Sequence, residues 1–198
     1  METPAIRTAN QDDEIAAIGT IVLAFAADPM ARWCWPHTQT YLLGMPNFTR
    51  AFGGAAFLHG GAHCSEDGAG VGLWLPPNVH PDEETLVKVL DSQVPASNRG
   101  DLFAVFEQMA HYHPAEPHWY LPVIGVDPAH QGRGYGGALM KHALEQCDRD
   151  HAPAYLESSN PRNISLYQRH GFEALGTIQV GASPPVVPML RKARLAGW

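Results

Sequence analysis

The chain has 198 residues, of which 45% are hydrophobic and 17% are charged, so a disordered chain is excluded and the length suits one domain over residues 1–198. The 13 Lys and Arg residues are outnumbered by 20 Asp and Glu residues, which gives a formal net charge of -7 and argues against a nucleic-acid partner. Three cysteines without C-x-x-C spacing predict neither a disulfide framework nor a zinc ribbon, and no leader or membrane-spanning apolar run is visible. We therefore expect a cytoplasmic protein without a membrane partner.

Short strands and helices alternate in the N-terminal part of the chain. Strands are predicted at three places: residues 5–8, 62–66 and 71–75. The last two form a hairpin that turns at Asp67-Gly68. Three helices are predicted at residues 40–59, about 82–91 and about 98–111.

One further helix is predicted near the N-terminus. Residues 10–13 supply N-cap candidates. The apolar residues of this helix have helical spacing: Ile15, Ile18, Val22 and Phe25. The dipeptide Asp28-Pro29 is predicted to end it.

The C-terminal part begins with an apolar strand at residues 119–126, and Pro122 inside it predicts a bulge or an unpaired position. A helix at 134–150 has one apolar face, made by Leu139, Ala143, Leu144 and Cys147. The remaining elements are a strand at 154–157, a helix at 162–170 and a closing hairpin at 172–180 and 186–191. This order predicts a mixed α/β (α+β-like) sheet with a βαβ unit at its centre.

A Gly-rich turn joins the strand at 119–126 to the next helix. Residues 126–137 read VDPAHQGRGYGG, with four glycines in six positions and an Arg among them. Glycines let the backbone approach a ligand closely, and the free amides of a helix N-terminus attract anions. A tight corner alone needs fewer glycines, so the turn predicts a pyrophosphate site.

A dinucleotide site is the first alternative. Gly132, Gly134 and Gly137 satisfy G-x-G-x-x-G, and Glu157 lies an appropriate distance downstream. Against an NAD(P)-dependent oxidoreductase, five residues separate the strand from the first glycine, and the chain after Glu157 has room for only one short helix and a hairpin. This alternative therefore ranks a distant second.

Two blocks of sequence resemble the GNAT superfamily of N-acetyltransferases. Residues 131–136, QGRGYG, match its (Arg/Gln)-x-x-G-x-(G/A) signature, and residues 163–172, NISLYQRHGF, are similar to its Asn…Tyr…Gly-Phe segment. Residues 119–136, 156–159 and 161–163 are most similar to the puromycin N-acetyltransferase branch. The likeness covers most of the chain, but the middle third matches weakly, so the identity of the substrate does not carry over.

The resemblance implies the GNAT fold, a central, mostly antiparallel twisted sheet with one splayed parallel strand pair, flanked by helices. By the same resemblance, the splayed pair is 119–126 with 154–157, and pantetheine is expected to lie between its strands against the backbone of Ile124 and Val126. An amide near Ile124 is expected to face the thioester oxygen. The pyrophosphate is implied to lie on one set of residues: Gln131, Gly132, Arg133, Gly134, Gly136 and Gly137. Asn163 is a coenzyme contact or the N-cap of the next helix, two compatible roles.

The implied activity is direct transfer of an acetyl group from acetyl-CoA to an amine, which we expect to be a small molecule. Tyr167 is the candidate proton donor to the coenzyme A sulfur, with a packed core tyrosine as the alternative. Glu157 accepts the proton of the amine, or anchors the substrate, or is a solvated carboxylate. A coenzyme A-binding sensor without catalysis is the second functional alternative.

A metal site is not expected, because the closest histidine clusters lack ligand spacing. A homodimer is left open.

Overall fold

The computed structural model describes residues 3–194. Its strands, numbered in chain order, are β1 (Ile6–Thr8), β2 (Ala62–Ser65), β3 (Gly70–Leu75), β4 (Trp119–Val126), β5 (Ala154–Ser158), β6 (Glu173–Ala174) and β7 (Val187–Arg191). Its α-helices are α1 (Glu14–Ala24), α2 (Pro29–Cys34), α3 (Thr38–Gly53), α4 (Glu83–Gln93), α5 (Ala96–Tyr112), α6 (Tyr135–Arg149) and α7 (Ile164–Arg169). Short 3-10 turns lie at Gln11–Asp13, Gly54–Phe57, Pro128–His130 and Pro161–Asn163. None of the helices within residues 3–194 has the length and apolarity needed to cross a bilayer.

The strands form one seven-stranded sheet in the order β1-β2-β3-β4-β5-β7-β6. Every neighbouring pair is antiparallel except β4 and β5, which run parallel. This arrangement confirms the predicted mixed sheet. It also removes the dinucleotide-binding alternative, because a doubly wound fold needs a mostly parallel sheet.

The sheet separates two apolar cores. Buried side chains of α1 to α5 pack with one face of the strands, including Leu73, Tyr120 and Tyr155. Those of α6 and α7 pack with the other face, including Leu121 and Leu156. Successive strand residues point to opposite faces, so β3, β4 and β5 each contribute to both cores.

Most predicted elements are confirmed within a few residues. The predicted strand 119–126 has the bounds of β4, and the predicted apolar face of α6 is buried along its whole length. Two of the predicted N-cap candidates, Asn10 and Asp13, form a capping box at the 3-10 turn that leads into α1. Asp13 is also the N-cap residue of α1 itself, but without a side-chain hydrogen bond to that helix.

Four features differ from the predictions. The first helix already ends at Ala24, before Asp28-Pro29. The dipeptide instead begins α2, which was not predicted; Asp28 is the N-cap and Pro29 takes the first helical position. The helix predicted at 40–59 leaves α geometry at Gly53-Gly54, two residues of low helix propensity. The strand predicted at 172–180 is reduced to β6 and one isolated bridge, between Ile178 and Val186.

The fourth difference concerns the apolar face of α1. Ile15 is 83% exposed. The buried residues of this helix are Ala17, Ile18 and Ile21, so Ile15 lies at the edge of the buried face rather than within it.

Pro122 produces the predicted irregularity in β4. Leu73 pairs with Val123 and Leu75 with Tyr120, so β4 carries one residue more than β3 across this step. That surplus is a β-bulge. It brings Tyr120 and Val123 to the same face of the sheet.

β4 and β5 separate just beyond the bulge. Their pairing covers three positions and ends at Leu121 and Leu156. β4 then continues along β3, and β5 continues along β7 as far as Ser158. Because Pro122 has no N–H to donate, the ladder stops there and a gap opens toward the carboxyl ends of both strands.

Candidate active site

The gap between β4 and β5, which we call the cleft, brings together four predicted site residues: Ile124, Glu157, Asn163 and Tyr167. Each comes from a different element or connection, namely β4, β5, the turn before α7, and α7. The two diverging strands therefore hold residues that are up to 43 positions apart in sequence, from 124 to 167, around one space.

The main-chain groups of Ile124 and Val126 face the cleft. Asp127 N donates to Ala69 O at 2.8 Å, and ladder bonds in an antiparallel pair recur at every second residue. The bonds from β4 to β3 therefore fall at Gly125 and Val123. The amide and carbonyl of Ile124 and Val126 point the other way, into the space that β5 has left.

The Gly-rich turn has the geometry of an anion site. Gly132 and Gly134 adopt positive φ angles of 73° and 89°, and Gly134 is the N-cap of α6. Among the described residues, none accepts a hydrogen bond from the backbone amides of residues 131–137. A Cβ added at Gly137 would meet nothing within 4 Å. The turn thus presents free donors at the positive end of a 15-residue helix.

The two polar side chains of this turn differ in their contacts. Gln131 Nε2 donates to Val126 O at 3.2 Å, which ties the turn to the end of β4. Arg133 is exposed. Its guanidinium adds the one cationic side chain of the segment 131–137.

Tyr167 is buried, with 4% of its surface exposed, and its ring packs edge-on against Phe172. Its hydroxyl makes no hydrogen bond to any of the described residues, although the residue lines the cleft. Burial, with a smaller contribution from the charge of Asp28, raises the pKa of Tyr167 above its ordinary value. The hydroxyl therefore stays protonated at neutral pH and can act as a donor.

Asn163 is the N-cap residue of α7, as predicted, but its side chain makes no capping hydrogen bond. Asn160 provides the cap one turn earlier, where its Oδ1 accepts from Arg162 N at 3.1 Å. The Asn163 side chain is left exposed beside the cleft.

Glu157 is held from two sides at the end of β5. Its side chain is only 4% exposed, and Tyr120 Oη donates to Oε2 at 2.8 Å. His113 Nε2 lies 3.1 Å from Oε1, but this contact does not meet hydrogen-bond geometry, and Oε1 has no hydrogen-bond donor among the described residues. The burial rules out the solvated carboxylate considered from the sequence. Glu157 Oε1 therefore remains free to accept a proton or a hydrogen bond.

A second space, the inner cavity, meets the cleft at Glu157. It has a volume of about 100 Å³ and lies on the side of α2 to α5. Phe25, Pro122, Glu157 and Ser159 line both spaces. Glu157 is therefore at the junction of two compartments.

Asp28 was missed as a site residue by the sequence reasoning. It is 6% exposed, lines the inner cavity, and accepts from Ser159 Oγ at 2.8 Å. Burial raises its pKa. The signal in the sequence was the Asp28-Pro29 dipeptide, which identifies a helix boundary but carries no information about its distant partner.

No group of three or more His, Cys, Asp or Glu side chains within residues 3–194 is arranged as a metal site. His63 and His142 pack against each other, with ring centroids 4.8 Å apart. The three cysteines are buried and unpaired.

Comparisons with known proteins agree with this geometry. A family model described as the acetyltransferase (GNAT) family matches residues 83–172, which include β4, the Gly-rich turn and Tyr167. An uncharacterized N-acetyltransferase of Schizosaccharomyces pombe is 26% identical, over 93% of this chain and 81% of its own. A mycothiol acetyltransferase of Brachybacterium faecium is 39% identical over 57 residues, 27% of this chain and 17% of its own.

Solved structures share the fold. A structure of histone acetyltransferase HPA2 and related acetyltransferase from Corynebacterium glutamicum is 24% identical, covers 100% of both chains and superposes with a TM-score of 0.69. Arylalkylamine N-acetyltransferase 2 of Aedes aegypti is 15% identical, with 97% and 99% coverage and a TM-score of 0.66.

The likeness to the puromycin branch, the single domain over residues 1–198 and the cytoplasmic location stay predictions. The acetyltransferase (GNAT) family model matches the segment that holds β4, the Gly-rich turn and Tyr167, and the splayed parallel pair β4 and β5 agrees with the shared fold. The chain is therefore similar to the GNAT acetyltransferases in the sequence of residues 83–172 and in its fold.

Proposed function

We propose that this N-acetyltransferase acetylates a small-molecule amine, with Glu157 as the base and Tyr167 as the acid. Its class, an acyl-CoA-dependent N-acetyltransferase, comes from its family. The observation that carries the proposal is the position of Glu157 between the cleft and the inner cavity, with a buried oxygen that has no donor. A base must lie within hydrogen-bond reach of the nucleophile, and the nucleophile must reach the reacting carbonyl. A carboxylate at this junction can contact an amine in the inner cavity next to an acetyl group in the cleft.

The residues of the cleft fit acetyl-CoA. The free amides of residues 131–137 suit a pyrophosphate, and the outward-facing backbone of Ile124 and Val126 suits a pantetheine arm laid between β4 and β5. Asn163, whose side chain has no capping role, is available to the same ligand. When bound, acetyl-CoA supplies an activated acetyl thioester.

Three protein groups divide the chemistry. Glu157 Oε1 takes a proton from the incoming amine, so that the neutral nitrogen attacks the acetyl carbon. The amide of Ile124 donates to the thioester oxygen while negative charge develops there. Tyr167 Oη gives its proton to the sulfur as the carbon–sulfur bond breaks. The nitrogen loses its second proton to solvent as the amide forms, and solvent returns a proton to Tyr167. The products are the acetylated amine and the free thiol of coenzyme A.

The partners of Glu157 support its assignment as a base. Tyr120 fixes Oε2 and leaves Oε1 for the amine. His113 has 30% of its side chain exposed. It therefore lies between the buried carboxylate and solvent, in a position to receive the proton from Glu157.

The test measures thiol release from acetyl-CoA across a panel of amines, with Glu157→Gln compared to the wild type. We expect kcat/KM to fall about 10²–10⁴-fold at neutral pH. The deficit should shrink as the pH approaches the pKa of the amine, because neutral amine then needs no base. Glu173→Gln, an exposed residue of β6, is the matched control and should keep wild-type activity.

Two results would contradict the proposal. A Glu157→Gln enzyme with an unchanged rate and pH profile removes the carboxylate from the mechanism. Binding of acetyl-CoA without thiol release to any amine, small or peptidic, favours the coenzyme A-binding sensor instead.

A further inference from the structure

The inner cavity is acidic at one end and apolar elsewhere. Asp28, Glu157 and Ser159 are grouped where it meets the cleft. The described residues that line the rest are apolar, among them Trp35, Phe48, Phe52, Phe106 and Met109, and they include no Lys, Arg or His. Two carboxylates thus face an apolar space that no basic side chain of the described residues lines, while His113 approaches Glu157 from the outer cavity.

A buried carboxylate is costly unless hydrogen bonds or a cation stabilise it. Asp28 receives two hydrogen bonds, from Ala31 N at 3.0 Å and from Ser159 Oγ at 2.8 Å. No basic side chain within residues 3–194 forms an ion pair with Asp28. Oε1 of Glu157 has no hydrogen-bond donor in the described part of the chain, although His113 Nε2 lies 3.1 Å away. The charge of Asp28 is therefore left for a bound ammonium group to balance.

The size of the cavity limits the hydrocarbon group that an ammonium ligand can carry. An apolar protein cavity of about 150 Å³ holds a benzene ring, whereas this one has about 100 Å³. Phe52 and Phe106 pack edge to face, with centroids 6.0 Å apart. They also line an outer cavity of about 530 Å³, so they form part of the wall between the two spaces.

We propose that the acceptor is a compact, apolar primary monoamine, with its nitrogen between Asp28 and Glu157 and its hydrocarbon group in the inner cavity. This inference rests on the proposed function. An acceptor carboxylate would face two protein carboxylates, and a second ammonium group would be desolvated among apolar side chains. A flexible alkyl chain can adapt its shape to a narrow cavity, whereas the wall at Phe106 limits the entry of a rigid ring with a longer linker.

The first test compares three amines of similar length: 3-methylbutylamine, 1,4-diaminobutane and 4-aminobutanoate. We expect kcat/KM for 3-methylbutylamine to exceed the other two by about tenfold or more. Acetyl-CoA affinity is measured separately by calorimetry. If acetyl-CoA neither binds nor reacts, the proposed function fails. If it binds and a charged amine is preferred, or 3-methylbutylamine is not acetylated, only this inference is overturned.

The second test addresses the ammonium site. Asp28→Asn keeps a side chain able to cap α2 but removes the charge. We expect KM for 3-methylbutylamine to rise about tenfold or more, with unchanged acetyl-CoA affinity. Asp82→Asn makes the same change at the N-cap of α4, outside the inner cavity, and should leave KM unchanged. Equal KM values for the two variants would show that Asp28 does not bind the ammonium group of the acceptor.

The third test removes part of the wall between the inner and outer cavities. Phe106→Ala should raise kcat/KM for 2-phenylethylamine relative to 3-methylbutylamine by about tenfold. Phe103 is on the same helix, but its ring lines only the outer cavity. Phe103→Ala should therefore leave this ratio unchanged. A ratio that both variants leave unchanged, in proteins that still bind acetyl-CoA, would refute the proposed position of the hydrocarbon group.

Discussion

Replacing Tyr167 by Phe removes one hydroxyl and leaves the ring in place. That hydroxyl has no hydrogen-bond partner within the described residues, and the ring keeps its packing against Phe172, at a centroid distance of 6.3 Å. The free energy of unfolding should therefore change by less than about 1 kcal/mol. The variant thus separates chemistry from folding.

The expected effect on catalysis is much larger. The pKa of Tyr167 is raised by burial and by Asp28, so the hydroxyl carries its proton throughout the working range of pH. A positioned proton donor contributes about 10²–10⁴-fold, which corresponds to about 3–5 kcal/mol of barrier. We expect kcat to fall by this factor while the affinity for acetyl-CoA stays the same.

The assay measures free thiol under single-turnover conditions, with acetyl-CoA affinity measured by calorimetry on the same protein. Tyr41→Phe is the matched control, because Tyr41 Oη donates to Val22 O at 2.6 Å and lies outside the cleft. That variant should lose about 1 kcal/mol of stability and keep its rate. If Tyr167→Phe turns over at the wild-type rate with chemistry rate-limiting, the tyrosine is a packed core residue and the proton comes from elsewhere.

Two further predictions concern binding and stability. Gly134→Val should abolish the rise in melting temperature caused by acetyl-CoA, a stabilisation of roughly 2.7 kcal/mol at a hundred times Kd, because Gly134 has a φ of 89° at the N-cap of α6. Gly60→Val, with a φ of 69° and open space around it, should keep that rise, and unchanged calorimetric affinity of Gly134→Val would contradict the prediction. Burial, with His142 nearby, lowers the pKa of His63 to about 4 from 6.5, so the unfolded chain binds this proton first and stability should fall as the pH drops from 6.5 to 4, by at most about 3 kcal/mol. Denaturant unfolding at several pH values should show that the free energy of unfolding depends less steeply on pH in His63→Gln than in the wild type. Equal pH dependence in the two proteins would contradict the lowered pKa of His63.

Features set by local chemistry could be read from the sequence. The missing N–H of Pro122 predicts the break in β4, and that break is where the cleft opens. The glycines of residues 132–137 predict an anion site independently of their neighbours, because a residue without a Cβ can adopt the required backbone conformations in any surroundings. Helix spacing likewise located α6 and its buried face.

Tertiary structure decided the contacts between distant residues. Asp28 and Ser159 are 131 positions apart, yet they share a hydrogen bond at the edge of the inner cavity. Glu157 could be an anchor, a base or a solvated group from the sequence alone, and its burial against Tyr120 and His113 removes only the last of these. Hydrophobic periodicity says which face of an element is buried but not which partner covers it. The environment of each carboxylate, on which its chemistry depends, is therefore set only by how the helices close over the sheet.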